Sequence, residues 1–142
     1  MTRTFTIGYE ASDIQSVVTA LRVAGVSSLV DVRWSARSRK RFFNRSHLSL
    51  AAESAGMTYT HDRRLGTPPE MLAHARLHDY EFEEYRNFLF SQTGALEDLS
   101  DIASAGNIAL LCFEAEASDC HRHVVAEELA SLIGGTVEHL RP

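Results

Sequence analysis

No apolar run in this sequence approaches the roughly 18 residues that a membrane-spanning helix needs, so a membrane partner is not expected. Cysteine is scarce: Cys112 and Cys120 are the only two in 142 residues. That is too few for a disulfide framework, and leaves thiols, ligands or a redox pair. Lysine is nearly absent, with Lys40 standing against thirteen arginines. Excess positive charge is lacking as well. The formal net charge of −5 argues against a surface that grips nucleic acid all over. Repeats, low-complexity tracts and linkers are missing, so residues 1–142 read as one domain, long enough to bury its own core. The opening Met1 to Thr6 has no apolar signal region, which leads us to expect a cytoplasmic location.

What is present is unevenly placed. Six of the fourteen basic residues fall between Arg33 and Arg45, and Arg63 and Arg64 add a pair. Along the chain, Thr4 to Gly8 alternates like a strand, and a helix capped by Ser12 or Asp13 runs to Ala24. Ser28 to Val32 is a second strand. Trp34 to Arg45 lacks apolar period and reads as an arginine-rich loop. Ser46 starts a helix through Leu48, Leu50 and Ala51 that stops at Gly56, and Met57 to Thr60 is a third strand. Pro69 suits the first position of a short helix. Helices are expected over 79–91 and 95–103, then a strand over 107–112, a helix over 119–133 and a strand over 136–140. Strands alternating with helices in this way predict an α/β three-layer sandwich: about five mainly parallel strands with helices on both faces.

In such a sheet, ligands bind beyond the carboxyl ends of the strands. That rule nominates Tyr9 and Glu10, then Asp31 and Arg33 with the arginine loop and its Arg37. It also nominates His61, Arg63 and Arg64, and finally Cys112, Glu114 and the start of the last helix. If that helix begins at Asp119, about 100° per residue places its core stripe on Val125, Leu129, Leu132 and Ile133. His121 and Arg122 then face the sheet, while Cys120 and His123 point away. A helix start is also a ready anion site, and its dipole lowers a nearby thiol's pKa.

Each nominee has a plainer reading. Cys112 can be a small buried residue at a strand end, and His121 a satisfied core or capping histidine. Arg33 beside Asp31 can be an internal salt bridge, and the basic loop can be solvated. Trp34, Phe42 and Phe43 within that loop suit stacking on bases, or else anchor the loop to the core. A zinc site from Cys112, Cys120, His121 and His123 matches structural zinc spacings poorly. No metal or cofactor is expected.

Several segments resemble the domain-of-unknown-function 488 family in the right order. They are Thr6-Ile7-Gly8-Tyr9-Glu10, Leu29-Val30-Asp31-Val32-Arg33 with Ser38-Arg39-Lys40, Leu65-Gly66-Thr67-Pro68, and Leu110-Leu111-Cys112-Phe113-Glu114 with Cys120-His121-Arg122. Many members have histidine and serine where this chain has Tyr9 and Glu10. The resemblance implies a compact bacterial-type α/β domain and supplies no reaction. It carries over Asp31, Arg33, Cys112, Glu114, Cys120, His121 and Arg122 as site candidates. A fainter architectural similarity to rhodanese-like sulfurtransferases fails at the loop after Cys112, which is acidic and free of glycine.

The expected function is action on, or binding of, a phosphate-bearing ligand, either nucleic acid or nucleotide. Arg33, Arg37, Arg63 and Arg122 would hold the anion. Cys112, His121, Glu114 and Cys120 are the catalytic candidates, with Asp31, Tyr9 and Glu10 as positioning residues. The alternatives are a thiol enzyme or redox sensor using Cys112 and Cys120, or a non-catalytic nucleic-acid or partner-binding module. Whether the chain is an enzyme stays open at this stage.

Overall fold

The computed structural model describes residues 3–72 and 82–142. In chain order the elements are β1 (Thr4–Gly8), α1 (Ile14–Val23), β2 (Ser28–Asp31), α2 (Arg45–Ser54), β3 (Thr58–His61), α3 (Glu83–Ser91), α4 (Ala95–Ser104), β4 (Ile108–Cys112), α5 (Arg122–Ile133) and β5 (Val137–Leu140). Short 3-10 turns lie at Arg63–Leu65 and Ala117–Asp119. Part of the helix expected over 79–91, including Tyr80, lies outside the described residues.

The five strands form one wholly parallel sheet in the order β3-β2-β4-β1-β5. This is the α/β three-layer arrangement that alternating strands and helices predict. β1 and β4 are buried at every position, whereas β3 and β5 at the two edges are half exposed. Strands covered on both faces can be apolar throughout. Phe5, Ile7, Tyr9, Leu29, Ala109 and Leu111 join the core beneath α1 and α2. Their neighbours Val30, Val32, Ile108, Leu110 and Cys112 turn to the other face, against α3, α4 and α5.

Local chemistry sets the element ends. Asp13 accepts a hydrogen bond from the Ser16 N–H at 2.8 Å, which caps α1, and such a cap contributes about 1 kcal/mol. Asn44, not Ser46, stands at the N-cap of α2. That helix buries Leu48 and Ala52 and leaves Leu50 in solvent.

The largest difference from the sequence expectation lies before the last helix. Cys120 is extended, with φ −129° and ψ 142°. It separates the 3-10 turn at 117–119 from α5, which therefore starts at Arg122 instead of Asp119. A helical wheel drawn through Cys120 does not apply, because the helix does not contain it. The buried stripe of α5 is Arg122, Val124, Val125, Ala126 and Leu129, and Leu132 is exposed.

Parallel strands end together, so Gly8 pairs with Cys112 and Asp31 lies between Leu111 and His61. Gly8 sits where a side chain cannot. A β-carbon there would overlap the Glu114 carbonyl and approach Arg122 Nη1 to 2.9 Å. Gly8→Ala is expected to lower the unfolding free energy by about 2 kcal/mol, since the obstructing group is backbone. Gly56→Ala, with open space around it but φ +81°, should cost about 1 kcal/mol through backbone strain alone. Urea denaturation of the two variants measures the difference.

Candidate functional site

The carboxyl ends of β2, β1 and β4 hold two assemblies of polar side chains, one on each side of β2. The first is built on Asp31 and Arg33. Both are buried, and they meet as a two-point ion pair: Arg33 Nε donates to Asp31 Oδ1 at 2.8 Å and Nη2 to Oδ2 at 2.6 Å. Arg33 Nη1 donates to the Tyr9 hydroxyl at 2.9 Å and to the Phe43 carbonyl at 2.8 Å. Tyr59 donates its hydroxyl to Asp31 Oδ2 at 2.5 Å. Burial, then the adjacent Asp31 carboxylate, raise the Tyr59 pKa. Arg33 is itself desolvated, but its bonds to Asp31 outweigh that and raise its pKa.

This network fixes the arginine loop. The Phe43 ring stacks on Tyr9 with centroids 4.2 Å apart and planes 6° from parallel. Phe43 therefore anchors the loop to the core. Phe42 is 40% exposed at φ +72° and meets Arg41 and His47. Lys40 Nζ donates to the Glu10 carbonyl, and the Glu10 carboxylate accepts from the Ala115 N–H. Glu10 thus ties the arginine loop to the loop after β4.

Beside this network opens a cleft of about 760 Å³ lined by Trp34, Ser35, Ala36, Arg37, Asn44, Arg45, Ser46, Ser49, His61 and Arg63. Its lining carries three arginines and, among the described residues, no carboxylate. Among the described residues, Arg37, Arg45 and Arg63 form no ion pair. Arg63 lies 4.7 Å over the Trp34 ring and donates Nε to the Trp34 carbonyl. His61 Nε2 is 2.7 Å from the Arg33 carbonyl. A carbonyl only accepts, so that nitrogen carries the proton. Gly66 packs so closely that a β-carbon would overlap the Trp34 backbone, which gives the Leu65-Gly66-Thr67-Pro68 segment its place under the cleft. Arg64 belongs elsewhere, paired with Asp62 and Asp98.

The second assembly joins the end of β4 to the start of α5. Cys112 and Cys120 are disulfide-bonded, with their Cα atoms 7.4 Å apart. This corrects the expectation that Cys120 points away from Cys112: the extended backbone at Cys120 turns its side chain inward. A Glu114 carboxylate oxygen lies 3.4 Å from Cys112 Sγ, which in the disulfide has no proton to donate. Burial raises the Glu114 pKa against the pull of Arg122. Arg122 is fully buried. Its Nη1 donates to the Glu114 carbonyl at 2.5 Å and lies 3.2 Å from Cys112 Sγ, while Nη2 donates to the Ala115 carbonyl at 3.2 Å. Its Nε has no partner among the described residues, and burial lowers its pKa to about 10. His121 places Nε2 at 2.7 Å from the Val32 carbonyl and Nδ1 at 3.7 Å from Cys120 Sγ. His123 is engaged by the Ala117 and Cys120 carbonyls.

The sequence candidates therefore divide. Cys112, Glu114, Cys120, His121 and Arg122 come together, and Arg37 and Arg63 come together in the cleft without a cysteine. Arg33 and Arg122, nominated as anion binders, turn their guanidinium groups to protein acceptors, through Nε, Nη1 and Nη2 of Arg33 and through Nη1 and Nη2 of Arg122. Arg45 and Tyr59 were not nominated. Tyr59 could have been found from the alternation of β3, which puts it on the Asp31 face, but Arg45 had no local signal beyond its place in a basic run.

Two predictions follow from this geometry. Asp31→Ala leaves the buried Arg33 without its counter-charge and should destabilise the fold by about 3–5 kcal/mol in denaturant titrations. Burial pushes His121 down from 6.5 to about 4. The unfolded chain thus takes up this proton near pH 6.5, and the folded chain only near 4. The corresponding stability is complete above pH 6.5 and is lost as the pH falls toward 4, by of order 1–3 kcal/mol. In the disulfide-bonded protein, thermal unfolding of His121→Gln should show a smaller fall across that window.

The chain belongs to the family described as Domain of unknown function DUF488, whose profile matches residues 13–129. No curated protein and no solved structure matches it.

Proposed function

We propose that this DUF488 domain binds a phosphate-bearing ligand, a single-stranded nucleic acid or a nucleotide, in the cleft between the arginine loop and β3. One observation carries the reading. Arg37, Arg45 and Arg63 share a cleft that, among the described residues, is lined by no carboxylate, in a chain whose net charge is −5. Arginines at protein surfaces commonly find acidic neighbours, and a protein with more acids than bases has them to spare. Grouping three without one builds a local positive field that a polyanion satisfies.

The other lining groups fit the same ligand. Ser35, Ser46 and the Asn44 amide offer hydrogen bonds to phosphate and sugar oxygens, whereas the Ser49 hydroxyl donates to Glu53. Trp34, held under the Arg63 guanidinium, presents a ring on which a base can stack. The cleft lies beyond the carboxyl ends of β2 and β3, where parallel sheets place ligands. Cys112, Glu114, Cys120 and His121 do not line it. The reading is therefore binding at the cleft, with no reaction assigned to it.

Fluorescence anisotropy with a labelled single-stranded oligonucleotide, titrated at several salt concentrations, tests this. Three phosphate contacts predict a slope of log affinity against log salt of about −2. Each of Arg37→Ala, Arg45→Ala and Arg63→Ala should reduce that slope by about 0.7. A free nucleotide that competes with the oligonucleotide identifies the smaller ligand as sufficient. Absence of binding at low salt, or binding that the triple variant leaves intact, overturns the proposal.

A further inference from the structure

The cysteine assembly is separate from the cleft, and it has donors arranged about a common centre. The Cys112 and Cys120 sulfurs and a Glu114 carboxylate oxygen all lie within 4.8 Å of one another. His121 stands beside this trio, next to Cys120 but not within 4.8 Å of all three donors. Its Nε2 meets the Val32 carbonyl at 2.7 Å, and because a carbonyl only accepts, Nε2 holds the proton. Nδ1 therefore carries the lone pair, 3.7 Å from Cys120 Sγ. A histidine whose outer nitrogen donates to a backbone carbonyl while its inner nitrogen faces thiols has the tautomer and orientation of a metal ligand.

Arg122 supplies an independent observation. It is completely buried, and among the described residues every acceptor that it contacts is a neutral carbonyl or Cys112 Sγ and its Nε is unpartnered. A buried guanidinium without a contacting anion is costly. While the sulfurs are bonded to each other they offer no charge. Once the bond opens, the Cys112 thiolate lies directly against Arg122. Two thiolates and the Glu114 carboxylate carry three negative charges, Arg122 carries one positive charge, and one divalent cation brings the assembly to neutrality.

We propose that the reduced protein binds one zinc ion through Cys112, Cys120, Glu114 and His121, and that disulfide formation and metal binding exclude each other. Two thiolates, an imidazole and a carboxylate suit tetrahedral zinc. The 7.4 Å between the Cα atoms leaves the sulfurs room to part around an ion once their bond is broken. In the forward step, a dithiol reductant breaks the Cys112–Cys120 bond and becomes a disulfide itself. The two protein sulfurs receive the electron pair, zinc binds them as thiolates, and the two dithiol protons pass to solvent. The donor set differs from the quartet read off the sequence, because His123 is committed to backbone carbonyls and Glu114 takes the vacant corner.

The test uses the full chain, reduced with a dithiol, freed of reductant without oxygen and titrated with zinc against a chromogenic chelator. One equivalent should bind per chain. Cobalt(II) in its place should give the thiolate charge-transfer band and the intense visible bands of tetrahedral coordination. Cys120→Ser should lose most of the charge-transfer intensity. Glu114→Gln and His121→Ala, which keep both thiols, should each weaken zinc by about 10- to 100-fold or more. The air-oxidised chain should bind none. Circular dichroism identifies any variant that does not fold, and Glu114→Gln, the mildest change, then decides alone. Reduced protein that retains no zinc, or zinc binding indifferent to Glu114→Gln or equal in the oxidised chain, overturns the proposal.

Discussion

Asp31 and Arg33 are both taken out of water at the end of β2, and that desolvation is tolerable because both side chains are matched with partners. The carboxylate receives two guanidinium bonds, the Arg33 N–H and the Tyr59 hydroxyl. The fork uses its remaining reach on Tyr9 and Phe43. A pair held this way fixes the course of the chain where it leaves the sheet. The carbonyls of Val32 and Arg33 are then presented in turn, one to His121 and the other to His61. Two histidines on different assemblies thus take their orientation from consecutive peptide units.

The ion pair also bears on what each assembly can do. Phe43, tied by its carbonyl to Arg33 and by its ring to Tyr9, holds the far end of the arginine loop against the core. Between these anchors Arg37 remains exposed. Across β2, the fully buried Arg122 stands beside the two sulfurs with neutral carbonyls as its other acceptors. The two arginine populations differ in kind: Arg33 and Arg122 organise the interior, and Arg37, Arg45 and Arg63 face solvent. Summing them as a single basic region hides that division.

Much of the fold was legible because period and punctuation agree. Apolar runs bounded by glycine marked β1, β2 and β4, and the alternation of strand and helix gave the parallel sheet with layers on both faces. Asp31, Cys112 and Arg122 were placed at one sheet rim by the same reasoning. Cys120 was misdirected because helix phase presumes a helix, and no local residue announces the extended backbone that precedes α5. The partners of Arg33 were hidden for another reason: Tyr9, Phe43 and Tyr59 come from three separate segments, and only the register of β1, β2 and β3 brings them together. Whether an arginine is free or committed is a tertiary property. Composition counts both alike.

All five strands run the same way, so every loop that carries chemistry opens on one rim while the opposite rim is left to connections. The segment 32–44 and the segment 113–121 are consecutive occupants of that rim, each supported by its own layer of helices and its own core. Either can be altered while the packing beneath the other is kept, provided that the peptide units following Asp31 keep their direction and Glu10 keeps its bonds to Lys40 and Ala115. The architecture therefore lets the arginine-lined cleft and the sulfur pair vary separately, with the end of β2 and the Glu10 bridge as the features common to both.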